Sequence, residues 1–343
     1  MNHNTSPQDV LDPVDRAIVD ILHRDGRAPW SRVSEQARVS AATVRRRYES
    51  MHKQGVIRVI GATDVARLGL GTPLYMRLSN AHRDLSTLIP RLQARTEVRS
   101  LNTVLGSVDI VAEMVLPSDA DHSRFVADIT HGTSATVESL LITHAFASGQ
   151  DWSPPYGSDE PTRLSPVKTE PSPPIELSRS EAKVLGMLMH DGRASLSDLA
   201  AAIGKSENTA ARIIDQLQEH GVLDFRILVE PVRLGFGTEF LLWLKVEPQH
   251  LTKTALALAE HPSTKYLTAT TGSCSLAGQF IVRNRTELFH YATQVLGALP
   301  GIRSADFSIQ TNTHKRVWTS IKNGVYATEG QPLDPIEYLQ PRR

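Results

Sequence analysis

Cysteine is nearly absent from this chain. Cys274 is the single example in 343 residues, so no disulfide can form within the chain and no cysteine cluster can hold a metal. A lone thiol fits a reducing, cytoplasmic setting. No run of about 18 apolar residues occurs, so no membrane span is expected. The polar stretch 1–12 lacks the basic-then-apolar pattern of a secretory signal. Neither sign of charge is in excess, with 37 Lys and Arg against 37 Asp and Glu, which excludes a uniformly basic coat but not local patches. Catalytic signatures are missing too. Gly69-Leu70-Gly71 and Gly235-Phe236-Gly237 lack the third glycine and the strand–helix setting of a nucleotide loop. The 13 histidines never fall at close ligand spacing, and no Gly-x-Ser-x-Gly occurs. Cys274 has no base near it in sequence and reads as a small buried residue. No catalytic residue, metal or cofactor is expected.

What the chain does have is a repeat. Shifted by 166 residues, 11–72 lies on 177–238 without a gap, and 17 of those 62 positions are identical. They include Asp25-Gly26-Arg27-Ala28 on Asp191-Gly192-Arg193-Ala194 and Leu68-Gly69 on Leu234-Gly235. A unit this long is no solenoid repeat but a two-part module used twice. Between the copies, 153–174 holds seven of the 20 prolines and few aliphatic residues. Such a segment cannot pack a core, so the copies are expected to be tethered rather than held in one rigid contact. The stretch after about Lys322 reads as a tail.

Each copy has a helical front and a mixed back. Asp12 can cap a helix starting at Pro13, with Asp15 facing the free N–H groups and Val14, Ile18, Ile21 and Leu22 as its apolar stripe. Asp25-Gly26 stops it, and a short helix covers 30–37. Ser40 then caps a third helix whose Val44, Tyr48 and Met51 face inward. Copy two repeats the plan, with Ser195 and Asp198 as a capping box and Ser206 as the later cap. Three helices, the last two joined by a tight turn, read as helix-turn-helix. At that turn copy two has Gly204 where copy one has Arg38, a residue less suited to a left-handed backbone. The backs read strand 72–78, helix 85–95, strands 98–104 and 109–115, helix 120–130 and strand 137–145. Copy two gives 240–246, 251–260, 265–271, 276–282, 287–298 and 302–310. Both are β-α-β-β-α-β, the split ferredoxin-like order.

The third helix of copy one carries the sharpest functional signal. Its outward side holds Ala42, Arg46, Glu49 and Lys53, with Arg45 beside them and Arg47 near the edge of the buried stripe. Arginine on the second helix of a helix-turn-helix can clasp guanine edges or phosphates. The plain alternative is a solvated basic helix. Over 39–58 five positive residues face one negative, whereas over 205–224 two positive face four negative. The second helix-turn-helix, whose outward residues are Asn208, Arg212, Asp215 and Glu219, is therefore expected to be weak on DNA. Arg46 and Arg212 coincide, and a shared Arg serves equally well as an ion-pair anchor or as a base reader. The loops Leu105-Gly106-Ser107-Val108-Asp109 and Thr271-Gly272-Ser273-Cys274-Ser275 also stand out. On their residues alone they read as β-turns rather than ligand loops.

Leu11-Asp12, Asp15-Arg16, Ile18, Leu22, Asp25-Gly26-Arg27, Ser40, Arg46-Arg47, Gly55-Val56-Ile57 and Leu68-Gly69 together resemble the leucine-responsive (Lrp/AsnC) transcription regulators. Copy two matches through Leu177, Leu188, Asp191-Gly192-Arg193, Ser206, Gly221-Val222-Leu223 and Leu234-Gly235. The typical member has one such unit; here two stand in tandem. The resemblance implies an α+β chain of two winged helix-turn-helix domains (11–60 and 177–226). Each is followed by a ferredoxin-like, AsnC-type effector and oligomerisation domain (68–152 and 234–320), with a Pro-rich linker at 153–176. It also implies double-stranded DNA as partner, contacted through Ser40, Ala42, Thr43, Arg45, Arg46, Arg47 and Lys53, and assembly into homo-oligomers. The effector it implies is a small molecule of amino-acid type near Gly106, Ser107 and Asp109. Ser275 departs from the acidic position that Asp109 matches, so copy one is the better candidate. The two backs of one chain could pair as a covalent pseudo-dimer. Two other functions are weighed. Siroheme decarboxylases resemble paired members of this fold, but nothing here matches their aromatic and histidine-rich segment between the middle strands. An architectural DNA binder would ignore sequence.

Overall fold

The computed structural model describes residues 11–65, 67–147 and 174–327. The first head comprises α1 (Pro13–Arg24), α2 (Trp30–Ala37), α3 (Ala41–Lys53) and β1 (Ile57–Thr63). Asp12 caps α1, accepting from the Val14 and Asp15 amides at 2.9 and 2.8 Å. The turn before α3 places Arg38 at φ 54°, matching Gly204 at φ 65°, so copy one tolerates there the left-handed backbone that copy two gives to glycine. The first back half follows as β2 (Thr72–Ser79), α4 (Leu85–Gln93), β3 (Val98–Leu105), β4 (Ile110–Leu116), α5 (His122–Thr130) and β5 (Thr136–Ala147).

Copy two gives α6 (Arg179–His190), α7 (Leu196–Ile203), α8 (Glu207–Glu219) and β6 (Leu223–Val229). Its back half is β7 (Thr238–Val246), α9 (Leu251–Glu260), β8 (Thr264–Thr270), β9 (Leu276–Val282), α10 (Arg285–His290) and β10 (Ile302–Arg316). Irregular helical turns carry α10 on to Ala298. The expected capping box moves: Ser195 does cap α7, but the Asp198 carboxylate accepts from the Ser195 hydroxyl instead of reaching back to an amide. The reciprocal box is at Ser178 and Glu181, one helix earlier.

The copies do not behave as tethered bodies. In each back half the sheet order is that of a β-α-β-β-α-β unit, β3-β4-β2-β5 and β8-β9-β7-β10. The two sheets then join at both edges, β5 to β8 and β10 to β3, and every pairing is antiparallel. Eight strands thus close into one barrel with no free edge in the ring. Outward-facing Leu74, Met76, Leu78, Ile110, Ala112 and Met114 pack under α4 and α5, and Phe240, Leu242, Leu244 and Phe280 pack with α9.

The heads are joined as firmly. Strand β1 pairs with β6 from Ile57 opposite Val229 to Thr63 opposite Leu223. Each head's core also takes residues from the other copy: Ile227, Val229 and Leu234 pack with head one, and Leu68, Leu70 and Val115 with head two. Each buried aliphatic of this kind is worth about 1.5–3 kcal/mol. The shared Asp-Gly-Arg-Ala turns explain themselves here. Arg27 donates to the Gly192 and Ala194 carbonyls at 3.0 and 3.2 Å, and Arg193 returns the contact to Gly26 and Ala28 at 2.7 and 3.1 Å. A Cβ on Gly192 would lie 2.7 Å from the Ile60 carbonyl carbon, so this approach needs glycine.

The expected tail also folds in part. After β10 come β11 (Thr319–Lys322) and β12 (Val325–Tyr326), and Tyr326 is fully buried with Ile60 and Leu228. Residues 153–173 of the expected linker lie outside the described residues, while the Ile175 amide already donates to the Arg67 carbonyl at 2.8 Å. Among the described residues no helix is long and apolar enough to cross a membrane.

Candidate nucleic-acid interface and effector loops

Helix α3 is anchored from beneath by Val44, Tyr48 and Met51, all buried. Trp30 and Tyr48 pack with ring centroids 5.0 Å apart. Ser40 caps the helix by accepting from the Thr43 amide at 3.1 Å, with its hydroxyl 2.9 Å from that of Thr43. This leaves Ala42, Arg45, Arg46, Glu49 and Lys53 exposed on the outer side, as the helical spacing predicts.

Two of the basic residues counted from the sequence are not on that face. Arg47 is half-buried and bonds the Asp12 and Asp15 carboxylates, the latter at 3.1 Å, tying α3 to the start of α1. The Asp15 amide and Arg47 hold the Asp12 carboxyl below its ordinary range, while burial pushes that of Asp15 up. Arg58 is buried and donates to the His190 carbonyl at 2.9 Å and to the Ala327 carbonyl. The sequence placed Arg47 with the DNA-contacting residues; its guanidinium is an internal tie instead. The edge-of-stripe position and the two carboxylates at the start of α1 were the available signals.

In copy two Ser206 caps α8 equivalently, accepting from Thr209 at 3.3 Å. Its exposed face presents Asn208, Arg212, Asp215 and Glu219. Arg46 and Arg212 are both exposed, which removes the ion-pair-anchor reading of that shared position. The outer face of α3 therefore shows three cations against one carboxylate, and that of α8 the reverse tendency.

The loop residues Gly106, Ser107 and Asp109 do not converge on one open site. A Cβ on Gly106 would sit 2.6 Å from the Phe307 carbonyl oxygen, so the loop presses on β10 of the other copy. The Ser107 hydroxyl donates to the Asp306 carboxylate and accepts from Arg77 at 3.0 Å. The Asp109 carboxylate accepts from the Ala81 amide at 2.8 Å. Ser275 does the same work in copy two, accepting from the Val246 amide at 2.8 Å. The acid-to-serine difference is thus a change of cap and does not separate a ligand site from a dead one.

The sequence also missed Arg77, which is buried. It pairs with Glu138 and Asp306, each at 2.9 Å, and lies over the Trp243 ring at 4.5 Å. Trp243 is Arg77's own counterpart in the repeat, so the pseudo-twofold axis runs between them.

These features define a paired helix-turn-helix protein on a mixed α/β barrel. Residues 11–52 match the AsnC-type helix-turn-helix domain and residues 177–224 a winged helix-turn-helix DNA-binding domain. Among characterised relatives, the HTH-type transcriptional regulator FL11 of Pyrococcus horikoshii is 27% identical over 142 residues, 41% of this chain and 93% of that protein. The HTH-type transcriptional regulator AldR of Mycolicibacterium smegmatis is 29% identical over 150 residues, 40% of this chain and 88% of that protein. Each relative spans about one repeat. Over the full length, the crystal structure of the siroheme decarboxylase NirDL superimposes with a TM-score of 0.59, covering 92% of this chain and 94% of that one at 12% identity, a likeness of fold. The chain thus carries two helix-turn-helix domains in tandem, the first of AsnC type, and each repeat is similar in sequence to transcriptional regulators of that type.

Proposed function

We propose that this chain is a sequence-reading transcription regulator that grips double-stranded DNA chiefly with its first head and adjusts that grip to a small metabolite of amino-acid type. The observation that carries it is the exposed Arg45, Arg46 and Lys53 on a capped, aromatically backed α3, with Arg47 turned inward to fix the helix. Ser40, Ala42 and Thr43 at its N-terminus approach phosphate and base edges, where free amides favour anions. The DNA-contacting set is thereby Ser40, Ala42, Thr43, Arg45, Arg46 and Lys53.

The units are heads at 11–60 and 177–226, ferredoxin-like effector and oligomerisation halves at 68–152 and 234–320, and a linker at 153–176. The loop at Gly106, Ser107 and Asp109 serves the effector through contacts with further copies of the chain. The protein works in the cytoplasm, without a cofactor and without catalysing a reaction. Capture of genomic fragments by the full chain, with and without amino acids, tests the reading. Enriched sequences bound in the nanomolar range support it, and binding that ignores sequence would assign an architectural role.

The fold shared with NirDL supports one other reading, an enzyme acting on a tetrapyrrole. A related structure holds an iron-uroporphyrin III analogue in that protein. Incubating the present chain with iron-uroporphyrin and recording its visible absorption separates the two: an unperturbed spectrum retires the enzyme.

A further inference from the structure

The barrel interior is filled unevenly. Its middle is closed by Tyr75, Val111, Leu140, Ile142, Leu241 and Trp243, all buried. At the end beneath the β1/β6 ribbon a cavity of about 90 Å3 remains. Barrel strands contribute Arg99, Glu113, Lys265 and Gln279 to its wall; the ribbon contributes Ile60, Ala62, Arg226 and Ile227. Arg99 and Lys265 are the same position in the two copies, as are Glu113 and Gln279. The cavity therefore straddles the pseudo-twofold axis at the junction of heads and barrel.

Stability alone does not account for this composition. Burying a cation costs several kcal/mol, and pairing it recovers that at best, so apolar side chains would serve at least as well. Arg99 meets Glu113 at 2.6 Å, and Lys265 and Arg316 share Glu239 at 3.1 and 2.9 Å. Even so, the Arg99 Nε–H is buried without an acceptor among the described residues. Glu239 and Glu230, which balance Lys265 and Arg316, and Asp224, which pairs with Arg226, are not among the residues that line it. The cavity itself sees Arg99, Arg226, Lys265 and Arg316 against the single carboxylate of Glu113.

We propose that this cavity binds a small carboxylic acid, amino acids included, with its carboxylate held by Arg99 and Lys265. A water needs about 10–15 Å3 of such space, so the cavity admits a molecule of about six heavy atoms, the size of alanine or pyruvate. An ammonium group on the ligand would meet Glu113. The ribbon carries both heads, so an occupant touches heads and barrel at once. This site is separate from the loop at Gly106, Ser107 and Asp109; the inference goes beyond the regulator reading and rests on it only for the ligand's role.

Calorimetric titration of the full chain with L-alanine, pyruvate and acetate tests it. At least one should bind at one site per chain, and Arg99→Gln should weaken it roughly tenfold or more, the loss of a charge-assisted hydrogen bond. Ala62→Leu narrows the cavity from the ribbon without removing a charge and should weaken it likewise, which keeps the test open if Arg99→Gln does not fold. L-alanine binding above pyruvate would place an ammonium on Glu113; pyruvate or acetate above L-alanine would show the carboxylate alone recognised. Either outcome supports the site. Binding by none of the three at about 10 mM, or binding unchanged in both variants, overturns it. The readout needs no DNA. A chain that takes up the acid but no operator sinks the regulator reading alone, and the converse sinks this one alone.

Discussion

Arg193, reaching across from copy two, lies 3.9 Å above the Trp30 ring and 5.6 Å from that of Tyr48. Its counterpart Arg27 lies over Phe225 at 5.2 Å. There Leu196 and Ile214 stand where copy one has Trp30 and Tyr48, and an open groove of about 680 Å3 is left. One head–head seam is thus packed with aromatic rings directly behind α3, while the related seam behind α8 is hollow. The rigidly backed helix is also the one with a cationic outer face. The two differences have different physical origins, packing and charge, yet favour the same head. Each is expected of a module in which one copy keeps a task that the other has given up.

That comparison can be broken or sharpened, starting with the largest effect. In the barrel the copies differ at Glu239, where copy one has Pro73. Glu239 accepts from Arg316 at 2.9 and 3.0 Å, Lys265 at 3.1 Å and Gln279 at 2.8 Å. Glu239→Gln should cost about 3–5 kcal/mol of stability, because it leaves buried cations unbalanced. Burial works against the charge of Glu239, but Arg316 and then Lys265 outweigh it and hold the carboxyl at about 2. For an acid so depressed, the stabilisation is complete above the unfolded value near 4.5 and fades as pH falls from there toward 2. Urea midpoints across that window should flatten in Glu239→Gln. An acid limb identical to the parent's would show that this copy-specific network is idle.

Next come the seams. Arg193→Ala should cost about 2–3 kcal/mol and Arg27→Ala about 1 kcal/mol less, because each loses two carbonyl hydrogen bonds but Arg193 loses contact with two rings and Arg27 with one. Equal losses in equilibrium unfolding would mean that the aromatic packing adds nothing. On DNA, Arg45→Ala or Arg46→Ala should weaken operator binding by about 1–3 kcal/mol and Arg212→Ala by less than about 0.5 kcal/mol. Matching losses in fluorescence anisotropy would contradict the assignment of the task to head one. The smallest effect is expected from Lys53→Ala, which should lower the slope of log affinity against log salt by about one and hardly change sequence preference.

The helices were legible because their signals are local: Asp12, Ser40 and Ser206 as caps, Asp25-Gly26 as a stop, and Val44, Tyr48 and Met51 at helical spacing. The β-α-β-β-α-β order was legible for the same reason. What escaped was non-local. Strand β1 finds its mate 166 residues further on, and its run includes Arg58, which looked like part of a basic surface. Arg99, Glu113 and Lys265 stand as single charges within strands, Glu113 between Ala112 and Met114, a pattern that signals a solvent-facing side in an open sheet. Closing the sheets into a barrel buries both faces, so the same alternation turns charge inward. The bond from the Ala81 amide to Asp109 was not legible, because a carboxylate capping an amide and one awaiting an effector are spelled the same way.

A ring completed inside a single polypeptide has no subunits to lose on dilution. Its two halves meet as a matter of covalent connection, whatever the number of molecules in the cell. It also frees evolution from a constraint of true homodimers, in which every substitution is written twice. Here a residue such as Trp30 can change one side of the axis and leave Leu196 on the other untouched, so asymmetry can accumulate one residue at a time without disturbing the shared frame.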